Sequence, residues 1–190
     1  MNLDVQPGSR GYPSQDVYRQ IKLVVFDVDG VLTDARIIID SNGVESKFFD
    51  VRDGAGITFL HNAELKVALL TGRSSPLVDF RAKELRIAPN MVRQGAKVKL
   101  PVFMKLLEEN GLTPAETLFV GDDIIDMPVL GGVGLACCPV DAHPDVKKIC
   151  HVISPNRGGR GGVRAIIEHF LKTRADGSWE KAIGRYLGQA

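Results

Sequence analysis

The stretch "KLVVFDVDGVLTD", residues 22–34, decides the fold. Its apolar run ends on Asp27, and a second carboxylate, Asp29, follows directly before Gly30. A continuous apolar run of this length is typical of a strand that is covered on both faces in a parallel sheet. The two acids can stabilise a turn after that strand, or they can hold a metal and take part in chemistry.

The composition is that of an ordinary globular domain. The chain has 190 residues, of which 44% are hydrophobic and 25% charged, as in typical soluble proteins. Its formal net charge of +1 gives no electrostatic reason to expect binding to nucleic acid or to an acidic membrane. No apolar run reaches the roughly 18–20 residues that span a bilayer. Cys137, Cys138 and Cys150 have no CxxC spacing, which suits a reducing cytosol, so we expect a cytoplasmic protein.

Strand-like and helix-like segments alternate along the chain. This order predicts an α/β fold with a doubly wound, mostly parallel sheet flanked by helices. Residues 1–20 are predicted to form an N-terminal arm, residues 21–175 the main domain, and residues 176–190 a C-terminal tail helix. Within the main domain, Asn42-Gly43 lies between two strand-like runs, which indicates a β-hairpin over residues 35–49.

Polar side chains follow three of the predicted strands. The carboxyl ends of parallel strands meet at one edge of the sheet, where ligands of such folds bind. We therefore expect these side chains to lie close together, with a lysine from "GAKVK" (Lys97 or Lys99) beside them. The residues that follow the strands are Asp27 and Asp29, then Thr71 and Arg73, then Asp122 and Asp123.

This set of residues suits phosphoryl transfer through an aspartyl phosphate. A carboxylate such as that of Asp27 can attack phosphorus and divide one difficult step into two. Mg²⁺ prefers oxygen ligands, which Asp27 and Asp122 offer, while a lysine and Thr71 bind phosphate oxygens. Asp29, displaced past the strand end, can donate a proton to the leaving oxygen and then take one from water.

The motifs "DVDGVLTD", "TGR", a downstream lysine and "GDDIID" resemble, in order, the four motifs of haloacid dehalogenase-like phosphatases over about residues 20–170. The resemblance implies a nucleophile at Asp27, a general acid/base at Asp29, and phosphate binding by Thr71 and Lys99. It also implies that Mg²⁺ is held by Asp27, the backbone carbonyl of Asp29, and Asp122.

The resemblance also bears on the choice between Lys97 and Lys99 and on the place of Asp126. Lys99 matches the family pattern better than Lys97, because "KL" and an apolar helix follow it. Asp126 looks like the last acid of the fourth motif. This acid either contacts the metal ligands without binding the metal itself, or it belongs to the first turn of a helix, where carboxylates are favoured.

Longer segments look like one subfamily, the cap-less 3-deoxy-D-manno-octulosonate 8-phosphate phosphatases of lipopolysaccharide precursor synthesis. These segments are "SNGVESKFFDVRDGAGI", "TGRSSPLVDFRAKEL" and "GGRGGVR". The resemblance implies a homotetramer in which the hairpin and the C-terminal segment of one subunit help to close a neighbour's site. Thr58 and Asp50 depart from the pattern, where a basic residue and Asn or His are usual. The residues implied to bind the phosphorylated sugar acid are Asp29, Asp50, Val51, Arg52, Asp53, Gly54, Arg73, Arg81 and Lys99.

Other interpretations of the sequence remain. Relatives that act on a nine-carbon sialic-type sugar acid 9-phosphate tend to carry Glu after "TG", where this chain has Arg73. A receiver-like signalling domain would carry its phosphorylated aspartate on a middle strand, which here ends in Thr71. The segment "NRGGRGG" (156–162) is either a flexible linker or a loop that offers N–H groups or Arg160 to an anion. No P-loop or GxGxxG motif is present, which disfavours ATP-driven and dinucleotide chemistry.

Overall fold

The central sheet has seven strands, in a computed structural model that describes residues 2–189. Their order is β1-β9-β8-β7-β2-β5-β6, and all neighbours are parallel except β1 and β9. This arrangement confirms the predicted doubly wound α/β fold. The strands of this sheet are β1 Gln6–Pro7, β2 Leu23–Phe26, β5 Lys66–Leu70, β6 Val92–Arg93, β7 Thr117–Val120, β8 Leu135–Cys138 and β9 Val152–Ile153.

Strand β2 lies at the centre of the sheet, and all four of its residues are buried. It pairs with β5 on one side and β7 on the other, so that Phe26 lies level with Leu69 and Val120. Because the three strands end at nearly the same level, the residues that follow them emerge at one edge. The register of the sheet therefore brings the predicted polar residues together.

Helices flank this sheet in two groups. In one group α2 packs against α7 and α8, and α1 packs against α7; in the other, α4 packs against α5, and α5 against α6. A turn of 3-10 helix, Ile124–Asp126, precedes α5. The helices are α1 Gln15–Gln20, α2 Val51–Asn62, α3 Pro76–Glu84, α4 Lys99–Asn110, α5 Met127–Leu130, α6 Pro144–Ile149, α7 Gly162–Arg174 and α8 Ser178–Tyr186.

The predicted hairpin is present and forms a separate two-stranded sheet. Its antiparallel strands are β3, Ile38–Ile39, and β4, Glu45–Ser46. Gly43 in the connecting turn has a φ of +78°, a conformation that glycine adopts without strain. In the described part of the chain, this hairpin is the only sheet inserted between β2 and α2, as expected for a fold without a cap domain.

The two ends of the chain pack against the rest of the fold. Gln6–Pro7 pairs with β9 as an edge strand, which the sequence-based description of an arm did not include. Helix α8 packs on α2, and Ala182 at its centre is fully buried. The division into arm, main domain and tail stays a prediction. None of the helices within residues 2–189 has both the length and the apolar character that crossing a membrane requires.

Candidate active site

A cavity of about 400 Å³ opens at the carboxyl edge of β2, β5 and β7. It collects the side chains that follow these three strands, together with the lysines that precede and begin α4. The cavity is therefore the place where the chemistry expected from the sequence can occur. Its lining residues are Asp27, Asp29, Ala35, Thr71, Gly72, Arg73, Lys97, Lys99, Asp122, Asp123 and Ile125.

The floor of this cavity is a cluster of three carboxylates and one lysine. One oxygen from each of Asp27, Asp122 and Asp126 lies within 4.8 Å of the others. The Lys99 ammonium lies 2.9 Å from Asp27 Oδ2 and donates a hydrogen bond to Asp126 Oδ1 over 2.6 Å. Lys99 is buried, whereas Lys97 is exposed. Lys99 is thus the lysine that reaches the acids, in agreement with the preference drawn from the sequence.

The cluster carries an excess of negative charge in a buried setting. Burial and the neighbouring Asp126 carboxylate together raise the pKa of Asp27 to about 7, although Lys99 opposes the rise. Burial and the Asp27 and Asp126 carboxylates raise the pKa of Asp122 to about 8. Burial alone would lower the pKa of Lys99, but the Asp27 and Asp126 carboxylates bring it above its ordinary value. One lysine therefore does not balance three acids, and a further cation would stabilise their ionised forms.

The geometry around Asp122 fits a divalent cation. Its Oδ1 atom is buried and has no hydrogen-bond partner among the described residues, an arrangement that is costly unless a ligand completes it. Both oxygens of Asp126 are engaged, since Oδ1 accepts from Lys99 and Oδ2 accepts from the backbone N–H groups of Asp122 and Asp123. Asp27 and Asp122 are thus suited to hold a hard cation such as Mg²⁺, while Asp126 orients the groups around them.

The hairpin supplies two side chains that the sequence analysis missed. Lys47 forms an ion pair with Asp29, and Glu45 accepts a hydrogen bond from Arg73 over 2.8 Å. Lys47 directly follows β4 and is two positions after Glu45, the spacing at which side chains of an extended chain face the same side. That spacing was the available signal, but which side would face the acids depends on how the hairpin folds back. Asp29 and Arg73 therefore lie at the cavity with partners from the hairpin.

Most of the other residues implied to bind the sugar lie outside this cavity. Asp50 caps α2 by accepting from the Arg52 backbone N–H over 2.7 Å, and Val51 is exposed. Arg81 donates to the Asp50 carbonyl over 3.4 Å. The structure places Asp50 and Arg52 around a second cavity of about 380 Å³, beside Arg160.

Asp53 and Gly54 serve the packing of α2. The Asp53 carboxylate is buried and accepts from the backbone N–H groups of Gly161 and Arg164, over 3.2 and 2.8 Å. Burial raises the pKa of Asp53 to about 6. A Cβ on Gly54 would lie 2.6 Å from Arg81 Nη2. Each oxygen of the Asp53 side chain thus accepts a backbone N–H from the start of α7 or from the loop before it, and the assignment of Asp53 to the sugar stays a prediction.

The glycine-rich segment 156–162 packs against the loop that carries the two acids. The Gly159 N–H donates to the Val31 carbonyl over 2.9 Å. A Cβ on Gly158 would lie 1.8 Å from the Gly30 carbonyl oxygen, so only glycine permits this approach. The Arg160 side chain extends to Asp34, with 3.4 Å between Nη2 and Oδ2. The interpretation of this segment as a flexible linker is therefore wrong.

Comparison with known proteins first identifies the superfamily to which the chain is similar. A HAD superfamily (subfamily III A) hydrolase from Legionella pneumophila superposes with a TM-score of 0.87 at 34% identity, over 92% of this chain and 94% of that chain. No model of a protein family matches the chain. A sheet of this order, with its acid cluster at the carboxyl edge, is thus the haloacid dehalogenase (HAD) type of fold.

Relatives that are similar in sequence and in structure identify one family within this superfamily. The 3-deoxy-D-manno-octulosonate 8-phosphate phosphatase KdsC of Escherichia coli K12 is 40% identical over 167 residues, 88% of this chain and 87% of that protein. The Moraxella catarrhalis phosphatase of the same name, solved with magnesium, phosphate and KDO, has a TM-score of 0.85 at 32% identity, over 90% of this chain and 97% of that chain. The chain belongs to the 3-deoxy-D-manno-octulosonate 8-phosphate phosphatase family of the HAD superfamily.

Proposed function

We propose that the chain hydrolyses 3-deoxy-D-manno-octulosonate 8-phosphate to the free sugar acid and phosphate, with Mg²⁺ as its cofactor. It is then a phosphoric monoester hydrolase of lipopolysaccharide precursor synthesis. The observation that carries the proposal is the buried cluster of Asp27, Asp122, Asp126 and Lys99 with its unpartnered Asp122 oxygen. The cluster lies in a chain that is 40% identical to a phosphatase named for this substrate.

In the first half of the reaction, a carboxylate oxygen of Asp27 attacks phosphorus. The bond between phosphorus and the sugar oxygen breaks, and Asp29 donates a proton to that oxygen as it leaves. The Thr71 hydroxyl and the Lys99 ammonium hold the phosphate oxygens, since both groups line the cavity beside Asp27. When bound, Mg²⁺ offsets negative charge on the attacking carboxylate and on the phosphate.

In the second half, water hydrolyses the aspartyl phosphate. The Asp29 carboxylate takes a proton from this water, whose oxygen attacks phosphorus. The bond between phosphorus and the Asp27 oxygen breaks, which releases phosphate and restores the Asp27 carboxylate. Asp29 suits both proton transfers because it lies at the cavity, partly open to solvent, whereas Asp27 is buried.

The sugar is proposed to bind across a subunit boundary in a homotetramer. Arg73 at the mouth of the cavity offers its charge to the sugar acid, while Asp50, Arg52 and Arg81 would serve the site of a neighbouring subunit. The hairpin exposes several large apolar side chains, and such a patch is typical of a protein interface. These side chains are Ile37, Ile39, Val44 and Phe48.

The cytoplasm is the proposed location of the protein. All three cysteines are free and buried, which agrees with a compartment where thiols stay reduced.

The direct test is Asp27→Asn, which keeps the size of the side chain and removes the nucleophile. We expect phosphate release from the octulosonate 8-phosphate to fall below detection while the fold stays intact, as checked by circular dichroism. Chelation of Mg²⁺ should stop the wild-type reaction and added Mg²⁺ should restore it. An active Asp27→Asn variant would contradict the mechanism. Faster turnover of a nine-carbon sugar acid 9-phosphate by the wild-type chain would contradict the substrate alone.

A further inference from the structure

The hairpin places a buried lysine on the acid that is proposed to transfer the proton. The Lys47 ammonium contacts Asp29 Oδ1, and the Lys47 side chain is only 2% exposed. A buried ammonium needs carboxylate partners to offset its lost hydration. Lys47 is therefore held in one position, and one oxygen of Asp29 is held with it.

Glu45 connects this lysine to the other side of the cavity. One of its oxygens, Oε1, lies 3.6 Å from Lys47 Nζ and accepts from Arg73 over 2.8 Å. The other, Oε2, accepts from the Ser75 hydroxyl over 2.7 Å. The hairpin is thus fastened at two points to the segment after β5.

Arg73 completes a ring of alternating charges. Its Nε atom lies 3.9 Å from Asp29 Oδ2, the oxygen that Lys47 does not contact. The ring runs from Asp29 to Lys47, Glu45, Arg73 and back to Asp29, and we name these four residues the charge ring. Because a cation faces each oxygen of Asp29, the plane of its carboxyl group is fixed. Oδ2 has the longer of the two contacts, and it is therefore the oxygen that is free to meet a leaving group.

We propose that Lys47 is a positioning residue for proton transfer by Asp29, and that Glu45 keeps Lys47 and Arg73 in place. Lys47 itself transfers no proton and forms no bond to the substrate. The proposal rests on the proposed phosphatase function. It gives the hairpin a role within its own chain, beyond contacts between subunits.

The test compares two esters whose leaving groups differ in their need for a proton. The sugar alkoxide needs protonation as it leaves, whereas nitrophenolate from p-nitrophenyl phosphate is stable as an anion. The ratio kcat/KM reports steps up to the departure of the leaving group, and therefore excludes the later attack of water. We expect Lys47→Met to lower kcat/KM for the sugar phosphate by roughly tenfold or more, which is part of the 10²–10⁴-fold that general acid–base catalysis contributes. For p-nitrophenyl phosphate, kcat/KM should change by less than about threefold.

Matched variants separate this role from a purely structural one. Lys47→Arg keeps the charge and should recover most of the lost kcat/KM for the sugar phosphate. Lys22→Met removes a lysine that pairs with Glu116 at the surface and should affect neither ester. Asp29→Asn should show the same dependence on the leaving group as Lys47→Met, with a larger loss.

Three results would overturn the proposal. These are an equal loss with both esters in Lys47→Met, no loss in that variant, and no leaving-group dependence in Asp29→Asn. A wild-type chain that hydrolyses a different alkyl phosphate would overturn only the proposed substrate, and the comparison would then use that ester. The failure of the inference and the failure of the proposed function are thereby distinguished.

Discussion

The α-carbon of Gly30 lies against the Asp122 carboxylate. Its φ is +91°, and a Cβ built there would lie 2.0 Å from Asp122 Oδ2. The absence of a side chain therefore lets the loop after β2 approach the acid that follows β7. This approach brings the loop after β2 next to Asp122, and these two segments are proposed to hold one cation together.

A methyl group at this position should displace Asp122. We expect Gly30→Ala to weaken Mg²⁺ binding, measured by calorimetry, and to destabilise the fold by about 1–3 kcal/mol through overpacking, in addition to the backbone strain. Gly177→Ala is the matched control, because Gly177 has a φ of +82° and open space around the added Cβ. That variant should be destabilised only by the backbone strain, which costs about 1–2 kcal/mol. Wild-type affinity for Mg²⁺ in Gly30→Ala would contradict this account.

At the scale of elements, α8 is held by the aromatic side chain of Phe59 on α2. The Phe59 ring meets the rings of Trp179 and Tyr186 edge-on, with centroids 5.9 and 5.0 Å away. The Arg164 guanidinium of α7 lies 4.4 Å from the centre of the same ring. One buried ring thus joins three helices.

Removal of this ring should loosen α8 and lower the stability of the whole chain. We expect Phe59→Ala to reduce the free energy of unfolding by about 3–5 kcal/mol, as for other buried aromatic residues, measured by urea denaturation. Phe59 is 2% exposed, whereas Phe80 is 70% exposed. Phe80→Ala should therefore change the same quantity by less than about 0.5 kcal/mol. Equal losses in the two variants would show that Phe59 does not have this role.

The elements that the sequence predicted are those with a long apolar or amphipathic pattern. β2 and α4 belong to this group, and both lie where expected. The strand Gln6–Pro7 was missed because it has only two residues, both exposed, and one is a proline. Such an edge strand leaves no periodic signal, and only its pairing with β9 defines it.

At the scale of the whole molecule, the fold gathers acids that are distant in sequence into one buried edge. Asp27 and Asp122 were predicted to meet there because parallel strands align their carboxyl ends, whereas the place of Asp126 was left open between support of the ligands and the first turn of a helix. The partners of Asp29 were not predicted, since they depend on how the hairpin folds over the edge. The sequence also could not show that the Asp53 carboxylate accepts hydrogen bonds from the backbone N–H groups of Gly161 and Arg164, because these contacts depend on how α7 packs against α2.

The gathered acids should make stability depend on pH when Mg²⁺ is chelated. The pKa values of Asp27 and Asp122 are raised from 3.8 to about 7 and about 8. The native state therefore binds more protons than the unfolded state between roughly pH 4 and pH 8, and stability falls as pH rises through that window. We expect the melting temperature in chelator to drop between about pH 6 and about pH 8.5, and excess Mg²⁺ to reduce the drop.

The control for this measurement is Asp122→Asn, which removes one of the two raised pKa values. Its drop in melting temperature should be smaller than that of the wild-type chain under the same conditions. Identical drops in the two proteins, or a drop that Mg²⁺ leaves unchanged, would contradict a metal site at these acids.

The contact between Gly159 and Val31 has a consequence for the chain during its synthesis. The loop after β2, which contains Val31, leaves the ribosome early, but its partner Gly159 follows more than 120 residues later in the sequence. Until then the loop has no neighbour on that side, and the nascent chain cannot yet hold its acids in register. We therefore expect incomplete translation products that end before residue 158 to be unable to hydrolyse phosphate esters.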